Sequence, residues 1–269
     1  MNPNSVWGAA SLVAGGEILL RRTSGALLIT FNRPAKHNAF TDGMYSTLVQ
    51  LCRETSQDPD VRVVVFQGEG GRAFAAGNDI ASFRDFTTGE EGVAYEAKIR
   101  TVLTAIGDLP QVTIAAVQGI CVGGGLAVAN ACDLRVATAD AYFGYPIART
   151  LGNVLSGTLV LRCAAVFGDS LTREMLLASR LIDAHRAYSA GAVASVVPAD
   201  GLDNEVASFI EGILRGAPLT IKLTKDQLRD GVPAVDQAKD DARLGQAYAS
   251  PNFREGVQAF LSKKAPDFR

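Results

Sequence analysis

Apolar positions along this chain follow two rhythms. Residues 17–22 and 26–32 are rich in branched apolar side chains, and Thr23, Ser24 and Gly25 separate them. That pattern predicts two strands joined as a hairpin. Arg33-Pro34 ends the second run, because proline has no N–H to give a ladder. Met44, Leu48, Leu51 and Cys52 recur at helical spacing, with Thr41 or Asp42 as the N-cap, and Pro59 closes the segment. Residues 61–67 are a β-branched run of the kind found in a strand buried on both faces of a parallel sheet. Residues 112–117 repeat that pattern, and residues 134–137 form a shorter strand. Between them the spacing predicts helices over 93–108 and from 126. Residues 84–92 are polar and contain glycine, which predicts a mobile loop.

Strand, crossover helix and strand in succession predict an α/β fold with buried parallel strands. From about residue 172 the chain turns mainly helical, over 174–179, 184–190, 203–215, 220–230 and 234–249. This divides the chain into a loosely ordered N-terminus (1–16), a core (17–200) and a helical region (201–269). Those last helices either cover the core or pack against another subunit.

At 269 residues the chain can bury a large core without staples. A net charge of -2 offers no general attraction to nucleic acid or to an anionic membrane, so neither is an expected partner. An anionic ligand would have to be held by a few local Lys or Arg residues. Cys52, Cys121, Cys132 and Cys163 lack metal-site spacing, so no metal is expected; they read as reduced core residues of a cytoplasmic protein. Residues 1–16 have no basic segment leading into an apolar one, which argues against a signal peptide or anchor.

Two glycine-rich turns carry the candidate chemistry, residues 76–80 and 119–125. Each follows a buried strand and precedes a helix, which aims backbone N–H groups at an anion or a polarised oxygen. Two such turns could close on one oxygen. Glycine triplets equally permit tight turns and close packing. Neither turn is a dinucleotide fingerprint or a P-loop.

Several ordered motifs make the resemblance specific. Asn32-Arg33-Pro34 with Asn38-Ala39, Asp60 through Val65, Arg72 through Ile80, Ile114 through Gly125, Cys132 through Arg135, and Phe143-Gly144-Tyr145-Pro146 resemble the crotonase superfamily, the enoyl-CoA hydratase/isomerase family. The likeness runs from about Ile18 to the end, including Ala259 through Lys264. It implies a crotonase-like ββα spiral core with a C-terminal helical trimerisation region, and a homotrimer or hexamer. It implies an acyl-CoA thioester as partner, with coenzyme A as part of the substrate and no separate cofactor. The N–H groups of Asn78 and Gly124 would form the oxyanion hole and stabilise an enolate. Arg33 and Lys36 would contact CoA phosphates. Ala76, Asp79 and Ile80 would lie along the CoA, and Lys263 or Lys264 would reach a neighbouring subunit's CoA.

The chain also departs from the family pattern. Where family hydratases carry two glutamates, it has Ala127 and Ile147, and neither can move a proton. Acids that other members place farther along fall at Ser156 or near Leu155, and residues 141–168 hold no Asp or Glu. Tyr145, Arg149, Asn153 and Ser156 are the polar side chains left near the implied pocket. Tyr145, Arg149 and Ser156 are the candidates for added catalytic roles. Arg149 either pairs with a substrate carboxylate or faces solvent, Ser156 either acts or caps a helix, and Tyr145 either acts or packs. His37 and His185 read as structural or exposed, and Asp133 as a holder of local backbone hydrogen bonds. The implied function is an acyl-CoA-processing lyase or isomerase that stabilises an enolate, with ordinary hydration doubtful. The alternatives are a non-catalytic acyl-CoA binder and a decarboxylase or thioesterase of the same fold.

Overall fold

A computed structural model describes residues 7–230 and 235–268. Its elements run β1 (Ser11–Val13), β2 (Ile18–Thr23), β3 (Gly25–Phe31), α1 (Asp42–Ser56), β4 (Val61–Gly68), β5 (Ala73–Ala75), α2 (Gly89–Gly107), β6 (Val112–Val117), β7 (Ile120–Val122), α3 (Gly124–Ala131), β8 (Leu134–Thr138), β9 (Tyr142–Gly144), α4 (Ile147–Thr150), α5 (Gly157–Leu177), β10 (Ile182–Asp183), α6 (Ala184–Ser189), β11 (Ser195–Val197), α7 (Leu202–Arg215), α8 (Pro218–Asp230), α9 (Gln237–Tyr248) and α10 (Pro251–Leu261).

A large sheet is ordered β1-β2-β3-β4-β6-β8-β11 and a small one β10-β9-β7-β5. The expected hairpin is β2 antiparallel to β3, and β4, β6 and β8 are parallel neighbours as expected. From β4 onward the chain places a strand in the large sheet, a strand in the small sheet and then a helix, three times over. This is a mixed α/β fold of the ββα kind.

Burial on both faces explains why the large-sheet strands read as unbroken apolar runs. Val64 and Phe66 of β4 face the main core with Ala115, Val117 and Ala137. Val63 and Val65 face the other way and join Ile114, Ala116 and Val136 under α7. Leu202, Val206 and Ile210 recur every fourth residue on α7 and are buried against that face. Each such side chain contributes roughly 1.5–3 kcal/mol. Helix α7 therefore lies on its own chain's core, whereas Leu219, Leu223 and Leu228 of α8 are exposed.

Several elements differ from the sequence expectation. Helix α2 begins inside the expected loop of residues 84–92. Thr88 accepts from the Glu91 N–H while the Glu91 carboxylate accepts from the Thr88 N–H, a reciprocal cap that polar composition concealed. Helix α5 begins well before the expected 174–179 and ends at Leu177, and α10 was not expected; Gly168 interrupts the regular spacing of the first, and Ser250-Pro251 starts the second. The short strands β5, β7 and β9 read as turns because three residues give no alternation to detect. Ser11–Val13 pairs with β2, although residues 1–16 were expected to be loose; Met1 to Val6 and Ala234, the expected start of a helix, lie outside the described residues.

Candidate active site

The two glycine turns leave the carboxyl ends of β5 and β7, which are adjacent parallel strands of the small sheet. Neighbouring strands sit about 4.8 Å apart, so chains leaving at the same level stay side by side. Asn78 lies in the first turn and Gly124 opens α3 after the second. The Phe40 N–H donates to the Gly77 carbonyl at 2.9 Å and the Asp79 N–H donates to the Phe40 carbonyl at 2.8 Å. This bridge alternates past Asn78 and leaves its N–H unengaged. Gly124 is the first residue of its helix, where an N–H has no intrahelical partner. Neither amide donates to a protein acceptor among the described residues.

The Asn78 side chain is pinned from below, since its Oδ1 accepts from the Tyr45 hydroxyl of α1. A Cβ on Gly124 would collide with that same Asn78 oxygen and with the Tyr45 hydroxyl. Only glycine lets α3 start this close to the first turn.

Both residues line one cavity of about 480 Å³. Ala76, Asp79, Ile80, Lys36 and Asn153 line it too, with apolar walls from Phe83, Ile147, Leu151 and Leu155. Lys36 is exposed and makes no ion pair among the described residues. Arg33 is different. Its guanidinium pairs with Glu17 at 2.9 Å and Asp79 at 3.0 Å and donates to the Ala39 carbonyl at 2.6 Å. It does not line the cavity, and its charge is spent on clamping the 33–39 loop to the first turn. Asp79 also accepts from the Ala81 N–H and so caps the turn that follows it.

Tyr145, Arg149 and Ser156 are not brought to the cavity. Tyr145 is fully buried, and its hydroxyl accepts from Asn130. Arg149 is exposed on α4. Ser156 is buried at the N-cap of α5 but makes no capping bond; Asp240 of α9 accepts from the Gly157 N–H instead, at 2.6 Å. Lys263 lies in an exposed turn after α10, away from the lining, although Phe260 of that helix reaches the cavity. Asp133, expected to hold local backbone hydrogen bonds, instead reaches remote partners, accepting from the Thr113 N–H of β6 at 2.7 Å and pairing with Lys225 of α8 at 2.7 Å.

One lining carboxyl escaped sequence reasoning. Glu96 of α2 lines the cavity and is 5% exposed. Its Oε1 accepts from the Tyr248 hydroxyl at 2.7 Å, which in turn accepts from Asn153 Nδ2 at 3.2 Å. Among the described residues its Oε2 has no partner, nor does Asn153 Oδ1. Burial pushes the carboxyl up to about 7, against the Tyr248 hydroxyl and Arg100, which both favour the anion; Asp240 adds to the rise. The detectable signal was register, because Glu96 sits between Tyr95 and Ile99 on the buried stripe of α2. A carboxylate on an apolar stripe is rarely idle. Tyr248 reaches it because Gly92 lies one turn earlier, where any Cβ would strike the tyrosine ring.

The chain is also similar to known proteins. Residues 21–269 match the family model described as enoyl-CoA hydratase/isomerase. A putative enoyl-CoA hydratase of Thermus thermophilus is 30% identical over 247 residues, covering 90% of this chain and 96% of that protein. An enoyl-CoA hydratase of Mycobacterium tuberculosis is 29% identical, covering 97% of this chain and 99% of its own. Among solved structures, an enoyl-CoA hydratase/carnitine racemase from Magnetospirillum magneticum superposes with a TM-score of 0.77 at 32% identity, covering 97% of each chain. A methylmalonyl-CoA decarboxylase bound to 2-nitronate-propionyl-CoA reaches a TM-score of 0.85 at 23% identity, covering 94% of this chain and 98% of its own, a likeness of fold.

Proposed function

Since the chain belongs to the enoyl-CoA hydratase/isomerase family, we propose that it processes an acyl-CoA thioester whose carbonyl oxygen sits between the N–H groups of Asn78 and Gly124. The observation that carries this reading is the pair of unengaged amides on one cavity wall. Each stabilises negative charge as it grows on the oxygen, and one such donor is worth about 3 kcal/mol in a transition state. The intermediate they favour is the thioester enolate.

The CoA part lies along Ala76, Asp79 and Ile80, with Lys36 as its phosphate contact. Arg33 acts through its clamp on Asp79. In a homotrimer or hexamer, Lys263 or Lys264 would come from a neighbouring subunit. Ala127 and Ile147 can neither activate water nor protonate carbon, so hydration by a pair of carboxylates is not the reaction this site serves.

The test uses acetoacetyl-CoA, whose enolate has its own ultraviolet band. Binding should raise that band, and crotonyl-CoA should bind with slow hydration. Failure of every acyl-CoA to bind, or turnover of crotonyl-CoA at an ordinary hydratase rate, would overturn the reading.

A further inference from the structure

We infer that Glu96 takes a proton from one carbon of the bound acyl chain and returns it to another, so that the cavity catalyses a proton shift along an enoyl thioester. This rests on the reading that the thioester carbonyl is held by the Asn78 and Gly124 amides.

The cavity offers two carboxylates, Asp79 and Glu96. Asp79 is committed to Arg33 and to the Ala81 N–H. Glu96 is committed through one oxygen only. Its Oε2 is buried without a partner among the described residues, a situation that costs roughly 1–3 kcal/mol. A residue kept only to tie α2 to α9 would use Oε1 and gain nothing from a second charged oxygen; glutamine would serve. A base needs that free oxygen.

The surroundings suit the task. Tyr248 and Asn153 form a chain of hydrogen bonds that orients the carboxyl from behind, so both are positioning residues. Ile80, Phe83, Ile147, Leu151 and Leu155 give the acyl chain an apolar wall. The charged and titratable groups around Glu96 are Tyr248 and Asp240 on α9, Arg100 and Tyr95 on α2, Tyr45 on α1 and Tyr145 just after β9. Burial holds the carboxyl near neutrality, where it can both accept and release a proton.

For a 3-enoyl thioester the step balances without a co-reactant. The α C–H bond breaks, its electron pair enters a dienolate held by the two amides, and the proton forms an O–H bond at Oε2. That bond then breaks as the γ carbon takes the proton, the carbonyl re-forms and the double bond lies between the α and β carbons. With no second free carboxyl to activate water, the same group completes the cycle.

The experiment compares the full-length protein with Glu96→Gln, which keeps the acceptor for Tyr248. Both are given 3-hexenoyl-CoA in deuterated water, and acetoacetyl-CoA binding is measured in parallel. Glu96→Gln should still bind acetoacetyl-CoA, yet lose at least about 100-fold in double-bond shift and deuterium uptake. The unaltered rate should climb with pH through neutrality, while the residual rate of the variant stays flat. Equal rates in the two proteins, or a bound 3-enoyl thioester that neither shifts nor exchanges in the unaltered one, would overturn the role of Glu96. Absence of acyl-CoA binding would instead remove the thioester reading, and this inference with it.

Discussion

The Tyr248 hydroxyl donates to Oε1 of Glu96 at 2.7 Å, joining α9 to α2 across 152 positions of sequence. The bond holds a carboxyl against the cavity that contains the Asn78 and Gly124 amides. Tyr248→Phe removes a donor that favours the anion, so the Glu96 carboxyl should rise beyond about 7. The midpoint of the pH–rate profile should move to higher pH. Stability should fall by roughly 1–3 kcal/mol, because Glu96 and Asn153 both lose a partner. Rate profiles and urea unfolding would measure the two effects separately.

Glu96 also predicts a pH dependence of stability. Its folded value of about 7 lies above the 4.5 of the free side chain. Between those values the folded chain keeps a proton that the unfolded chain has lost. Stability from this group is therefore fully present below 4.5, declines as pH rises through about 7, and is level above. The full displacement is worth at most about 3 kcal/mol. Urea unfolding at pH 5 and pH 8 should show that Glu96→Gln lacks this decline and is the more stable of the two at pH 8.

Gly92→Ala sets two effects against each other. Alanine favours a helix over glycine by about 1 kcal/mol. Its Cβ would strike the Tyr248 ring, and overpacking costs typically 1–3 kcal/mol. The clash is with a ring buried between α2 and α9, so it should win. Net destabilisation with loss of the double-bond shift is expected, read by thermal unfolding and the 3-hexenoyl-CoA assay.

Arg33 and Lys36 lie three residues apart and should behave differently. Arg33→Ala leaves Glu17 and Asp79 without their cation and frees the 33–39 loop. It should lower stability by about 2 kcal/mol, within the range for breaking a partly buried charged network. Lys36→Ala should leave stability unchanged and raise the KM for acyl-CoA several-fold, an effect that shrinks with salt. Unfolding curves and KM at two ionic strengths would separate them.

How much of this was legible from the chain differs element by element. The runs over β4 and β6 announced themselves because a strand buried on both faces has no polar rhythm. The turn at 76–80 was visible as a turn, the one at 119–125 hid the strand β7 inside it, and the crotonase likeness pointed to Asn78 and Gly124. The cap at Thr88 was legible in principle and was masked by its polar neighbours. Arg33 looked like a free cation because its partners, Glu17 and Asp79, are remote in sequence. Ser156 sat at a helix start, but Asp240 took the capping bond from another helix.

By itself the sequence determined the long buried strands, most of the helices, the family, and the absence of acids at 127 and 147, since these depend on local periodicity and residue identity. Only the tertiary structure decided which carboxyl meets the cavity. Glu96 belongs to the site through the packing of α2 against α9 and through the room that Gly92 leaves for Tyr248. Proximity of that kind is a property of how helices pack, and burial rather than residue type brings the carboxyl close to neutrality.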